Sequence, residues 1–132
     1  MTANLANFAY DPINWNFLKQ AKAHELFVEI LDSSIDNLLL VHAAAGLCNI
    51  CLDEQLFTYI IRGGTLKQIK KLVESHRDST DLIGHLLTTV FYLHSEPIDK
   101  DFRNLLQSLQ LGSCKRIGNL ATVILENHAA AN

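Results

Sequence analysis

LLLVHAAAGLCNICLD, residues 38–53, is apolar on almost every side of a helical projection. A helix of that kind must be surrounded by protein or by lipid. The exceptions, His42, Gly46, Asn49 and Asp53, fall at spacings of four, three and four, so they share one helical stripe. A bilayer span wants about 18 uninterrupted apolar residues, and His42 and Asn49 interrupt this stretch. The reading is a helix buried in protein, with one narrow polar-or-small edge.

The edge recurs along the chain. Asn4, Asn7 and Asp11 lie 42 positions before Gly46, Asn49 and Asp53, and His85, Thr89, Tyr92 and Glu96 lie 43 positions after the four stripe residues. Apolar neighbours travel with it: Leu5 matches Leu47, while Val90 and Leu93 match Leu47 and Ile50. A helical pattern repeating at that period is the signature of a stacked solenoid. The expected fold is all-α, a right-handed helical solenoid of about two complete repeats with partial ones at the ends. Its units are a partial repeat over 1–11, repeats over 12–53 and 54–96, and an atypical terminal repeat over 97–132.

With 132 residues, 48% of them hydrophobic and only two prolines, the chain is long enough for one folded domain with a real core. A net charge of −3 gives no global attraction to phosphate backbones. Three cysteines, with no signal-like N-terminus and no transmembrane run, predict a reducing, intracellular setting. Cys48 and Cys51 form a C-x-x-C, but at the C-terminal end of the helix, where the dipole opposes a thiolate. No second C-x-x-C and no H-x₃₋₅-H completes a zinc site, so no metal or other cofactor is expected. Cys114 reads in the same way, as a small packed residue.

Taken in order, Thr2–Tyr10 reads as a helix ended by Asp11-Pro12. A third helix of a repeat packs on two that precede it. Either the chain is a truncated product or its N-terminal face is covered by something else. Further helices are expected over 13–20, 23–31 and 54–62, with a sharp Gly63-Gly64 turn into 65–75. Ser33, with Asp36 three later, predicts a capping box for the central helix, and Asp78-Ser79 a cap for a helix over 80–94. The last two helices are expected over 99–109 and 114–130, with Ile117, Leu120, Ala121, Ile124 and Leu125 facing inward.

The order of short helix, Gly-Gly turn, helix and A-x-G-x-L-x-N, here IIRGGTLKQIKKLV and AAAGLCNIC, resembles the armadillo repeat. NLANFAYDP and AAGLCNICLD, with the overall order, resemble the armadillo repeat-containing protein 7 family. That resemblance covers essentially the whole chain. It implies a non-catalytic scaffold that binds extended peptides along a groove lined by third helices. It further implies a nuclear protein of the minor (U12-type) spliceosome, partnered by an RNA-recognition-motif protein, RNA-binding motif protein 48. Small nuclear RNA would then be reached only through the complex, and neither a membrane nor a small-molecule substrate is implied.

The residues offer their own groove argument. An Asn side chain presents two donors and one acceptor, so Asn7 and Asn49, with His42, His85 and Tyr92 around them, are candidates to hold a partner segment. Used in that way, Asn49→Ala would leave stability nearly unchanged and weaken partner binding. The alternative is that Asn49 satisfies a neighbouring carbonyl, and the same change would then lower the melting temperature. No Ser or Cys nucleophile stands near a His and an acid, so no enzyme is expected. Lys67, Lys70 and Lys71 read as a solvated face balanced by Glu74, or else as a contact for phosphate or an acidic partner. With the polar stripe, they carry the alternative function, direct RNA binding.

Overall fold

The computed structural model describes residues 2–93 and 96–128. Its helices are α1 (Thr2–Phe8), α2 (Trp15–Gln20), α3 (Ala23–Ser33), α4 (Asn37–Ile50), α5 (Glu54–Arg62), α6 (Thr65–Ser75), α7 (Thr80–Tyr92), α8 (Lys100–Gln110) and α9 (Lys115–Asn127). Among the described residues there is no strand, so the fold is all-helical.

Side-chain caps fix several of the starts. Aspartates at positions 36, 53 and 99 accept N–H bonds from Leu39 (3.1 Å), from Gln55 and Leu56 (3.0 and 3.2 Å) and from Phe102 (2.7 Å). Each satisfies donors that a helix start leaves free. The expected Ser33 cap is therefore displaced by Asp36. Ser33 closes α3 instead, its hydroxyl donating to the Glu29 carbonyl. Ser79 stands at the N-cap of α7 but makes no side-chain cap bond. The expected helix over 13–20 divides into a 3-10 turn, Pro12–Asn14, and α2, because the Asp11 carboxylate accepts the Ile13 N–H and Pro12 takes the first position of the turn. α8 begins one residue late because Asp99 is its cap. The expected ends at His94 and Ala130 lie outside the described residues.

α3 and α6 have the same length, 11 residues, and each follows a left-handed residue, Lys22 (φ 58°) or Gly64 (φ 71°). Residues 22 and 64 therefore sit at equivalent points of two successive units. Packing carries the repetition further: α4 lies between α1 and α7, and α7 between α4 and α9. On that row, α3 packs against α4 and α6, α6 against α7, and α8 against α9. The short helices α2 and α5 lie on α3 and α6.

One continuous apolar core runs through all of this, with Phe27, Leu40, Leu47, Ile50, Leu86 and Val90 wholly enclosed. The central stretch is less enclosed than its composition predicts. Leu38, Leu39 and Leu52 are 65%, 40% and 56% exposed. α1 meets the C-terminal end of α4, where Asn49 reaches Ala6, and the exposed Leu38 and Leu39 lie in the first turn at its other end. Leu52 lies beyond the end of α4. Of the residues expected inward on the last helix, Ile117, Ala121 and Ile124 are buried, while Leu120 and Leu125 are half-buried against the core.

Candidate partner-binding face

The helices α1, α4 and α7 carry most of the stripe residues, and several of these have a definite local task. Gly46 is buried and faces α3: a Cβ there would stand 2.6 Å from Cε1 and Cε2 of Phe27. Thr89, its counterpart on α7, is buried and donates to the His85 carbonyl. Asp53 caps α5 and receives the Lys19 ammonium at 3.0 Å. The stripe is thus not a single exposed edge. Its small member serves packing and its acid serves a helix start.

Asn49 is half-buried, and its amide nitrogen donates to the Ala6 carbonyl at 2.9 Å. Ala6 lies in the last turn of α1, whose carbonyls have no partner within the helix. Asn14 Nδ2 donates to Phe8 O at 2.8 Å and Trp15 Nε1 to Ala9 O at 3.0 Å, so three side chains close the end of α1. Asn49 therefore spends one donor on the fold. Its side-chain oxygen has no partner among the described residues. Asn49→Ala should lower stability by about 1 kcal/mol, the scale of one net hydrogen bond, as measured by urea unfolding. An unchanged midpoint would mean that this amide belongs to a partner instead.

Of the other candidates, Asn7 is exposed at the end of α1. His42 and His85 are half-buried on α4 and α7. Desolvation holds the His85 pKa below its ordinary value, with the Arg116 and His42 charges pushing the same way and Asp81 opposing. Arg116, which sequence reasoning missed, spans from α9 across Gly84 and donates to Thr80 O at 3.4 Å. Tyr92 lines a shallow depression with Leu52, Phe91 and Asn127. Burial raises its phenol pKa, with Cys48 and Cys51 adding to the rise. Asn127 was not foreseen either, because the last unit departs from the 42-to-43 residue period that pointed to the others.

Two thiols, Cys48 and Cys51, are held toward the neutral form. Burial pushes Cys51 up to about 12, helped by Cys48, and raises Cys48 against an opposing hydrogen bond with Thr89. A raised thiol is a poor nucleophile and a poor metal ligand. Among the described residues no group of three His, Cys, Asp or Glu could hold a metal ion. Nor is any described helix long and apolar enough to cross a membrane.

The lysine cluster is split. Lys70 Nζ pairs with Asp99 at 3.5 Å and Asp101 at 3.7 Å, rather than with Glu74. Lys67 and Lys71 are exposed, with no ion-pair partner among the described residues.

Acid should weaken the protein in two steps. Burial would raise the Asp53 carboxyl, but the Lys19 hydrogen bond, the Leu56 N–H, the Lys19 charge and the Gln55 N–H together hold it below 3.8. In the unfolded chain that carboxyl protonates first, so its contribution is present above about pH 4 and is lost as pH falls through the lower folded value. His85, lowered from 6.5 chiefly by desolvation, and His24, likewise lowered by burial, act in the same direction from a higher pH. Their share is complete above about pH 6.5 and shrinks below it, because the unfolded imidazole binds the proton more readily. Asp53→Asn keeps a cap acceptor and removes the titrating charge. Melting curves from pH 7 to 3 should show its acid loss reduced, and an unaltered profile would exclude Asp53 as a source.

Part of the chain is similar to a known protein. A stretch of 46 residues, 35% of this chain, is 48% identical to armadillo repeat-containing protein 7 of Mus musculus. The matched stretch spans 23% of that relative's length. No family model matches the chain. An armadillo-repeat relative and an all-helical fold together support a helical protein-interaction scaffold.

Proposed function

We propose that this chain is an armadillo-type right-handed solenoid, with units over 1–11, 12–53, 54–96 and 97–132, that works as a non-enzymatic scaffold. The observation that carries the reading is the row α1–α4–α7–α9, backed by the matched pair α3 and α6. A row of equivalent helices gathers equivalent positions into one continuous surface. On that surface Asn7, His42, Asn49, His85 and Tyr92, joined by Arg116 and Asn127, offer an extended segment polar contacts beside the apolar patch at Leu52 and Phe91.

The finer reading places the protein in the nucleus, in minor-spliceosome RNA processing, bound to an RNA-recognition-motif protein of the RNA-binding motif protein 48 type. It rests on the resemblance of NLANFAYDP and AAGLCNICLD, with the partial similarity to the mouse relative in support. The tagged chain should retain such a protein from nuclear extract, and a Tyr92→Ala, His85→Ala double variant should retain less of it. Retention of partners without any RNA-recognition-motif protein would overturn the spliceosomal part and leave the scaffold. Direct RNA binding through Lys67, Lys70 and Lys71 is disfavoured because two carboxylates already hold Lys70.

A further inference from the structure

Among the described residues, three buried side-chain polar atoms have no hydrogen-bond partner, and two of them stand at one corner of the fold. Thr65 Oγ1 is the first. Thr65 opens α6 and is only 3% exposed, yet it lines a cleft of about 510 Å³ with Val28 of α3 and with Tyr59, Arg62 and Gly63 at the end of α5. Its hydroxyl lies beside Gly63, where an added Cβ would stand 3.7 Å from Oγ1. His24 Nδ1 is the second. Its ring meets Tyr59 edge-on, centroids 4.9 Å apart, and so steadies the aromatic wall of the cleft. A buried polar atom without a partner is unusual and costs stability. A hydroxyl held in that state at a cleft needs a reason that the fold does not supply.

The lining is chemically lopsided. Val28 and the Tyr59 ring supply apolar surface, while Arg62, in the last turn of α5, is exposed and makes no ion pair among the described residues. No carboxylate occurs among the described residues that line the cleft. A guanidinium matches a carboxylate, which it can engage through two parallel N–H bonds. A mostly apolar cleft of this size with a few placed polar groups is the usual form of a small-ligand site. We propose that this cleft binds a group bearing one carboxylate beside an apolar body, as in a free organic acid or the C-terminal residue of a partner chain. Arg62 and the Thr65 hydroxyl would hold the carboxylate, and Val28 and Tyr59 the apolar body. The site lies on α3, α5 and α6, outside the row that carries the scaffold reading, and goes beyond that reading.

The probe is N-acetyl-leucine, with its uncharged amide as control. Titrated into the intact isotope-labelled protein, the acid should move the amide resonances of Val28, Tyr59 and Thr65 saturably, and the amide should not. Isocaproate, the same apolar body without a peptide group, separates the sources. Equal affinity for it assigns a free acid, a preference for N-acetyl-leucine assigns a chain end, and either result supports the proposal. Arg62→Gln should raise the Kd about tenfold, the scale of one charged hydrogen bond, and Thr65→Val should raise it severalfold. Because Thr65 Oγ1 has no partner in the fold, Thr65→Val should leave the urea midpoint unchanged or raised. A lowered midpoint with unchanged affinity would assign the hydroxyl to the fold and overturn the proposal. So would equal binding of the amide, no saturable binding, or an Arg62→Gln variant that binds as well as the parent. Inorganic phosphate moving the same resonances at lower concentration would also overturn it, giving the cleft to phosphate groups. None of these outcomes bears on retention of an RNA-recognition-motif protein from nuclear extract, so failure here leaves the stripe reading standing.

Discussion

Phe27→Ala is expected to destabilise the protein by about 3–5 kcal/mol, the range for emptying a large core aromatic. Phe27 on α3 is the largest wholly enclosed side chain, and its ring fills the space that Gly46 leaves on α4. Neither helix can close the gap by itself, because α3 is held by α6 and α4 by α1 and α7. The reverse perturbation tests the same contact. Gly46→Ala gains about 1 kcal/mol of helix propensity, but its methyl would lie 2.6 Å from two ring carbons of Phe27. Overpacking of that kind costs about 1–3 kcal/mol, so the net effect should be a loss. In a Phe27→Leu background the clash is relieved, and Gly46→Ala should become neutral or stabilising. Urea unfolding of the four proteins in the cycle measures the coupling. A cost under about 1 kcal/mol for Phe27→Ala, the size of a surface change, would refute the packing of α3 on α4.

The second large effect belongs to Leu47→Ala, with an expected loss of about 2–5 kcal/mol. Leu47 is wholly enclosed in the middle of the row, with Leu40, Ala43, Ala44 and Ile50 buried on the same helix. Two neighbouring helices converge on α4, so a cavity there weakens contacts to both. Leu38→Ala is the control: its side chain is 65% exposed, and a change within about 0.5 kcal/mol is expected. Similar losses at 38 and 47 would mean that α4 is not the centre of the packing.

Leu38 and Leu47 also show where sequence reading stopped. Both belong to one apolar run, and no periodicity separates them when nearly every neighbour is apolar. Their difference is one of packing: Leu47 lies toward the end of α4 that meets α1, and Leu38 at the opposite end. The stripe had a similar limit. Its recurrence picked out residues at matching points of α1, α4 and α7. Only packing shows that Gly46 accommodates Phe27, that Asp53 starts α5, and that Asn49 spends a donor on Ala6. Arg116 and Asn127 escaped notice because they lie in the one unit where the period fails. Lys70 was paired with Glu74 on the strength of helical spacing, whereas Asp99 and Asp101 come from a later part of the chain.

By itself the sequence determined the helical class, the breaks between helices and most of the core. Those properties follow from short-range chemistry: the 3.6-residue period, aspartate and glycine at helix ends, and proline after Asp11. The apolar positions Leu47, Ile50, Val90, Ile117 and Ile124 were legible for the same reason. Tertiary structure alone decided which polar residues serve the fold and which face outward. A donor such as Asn49 Nδ2, or a cation such as Lys70, takes whichever acceptor the folded chain brings within reach, 2.9 Å for the first and 3.5 Å for the second. For both, that acceptor lies tens of residues away: Ala6 for Asn49, Asp99 for Lys70. No local pattern encodes those pairs. They come into being when α4 meets α1 and when the chain carries Asp99 up to α6.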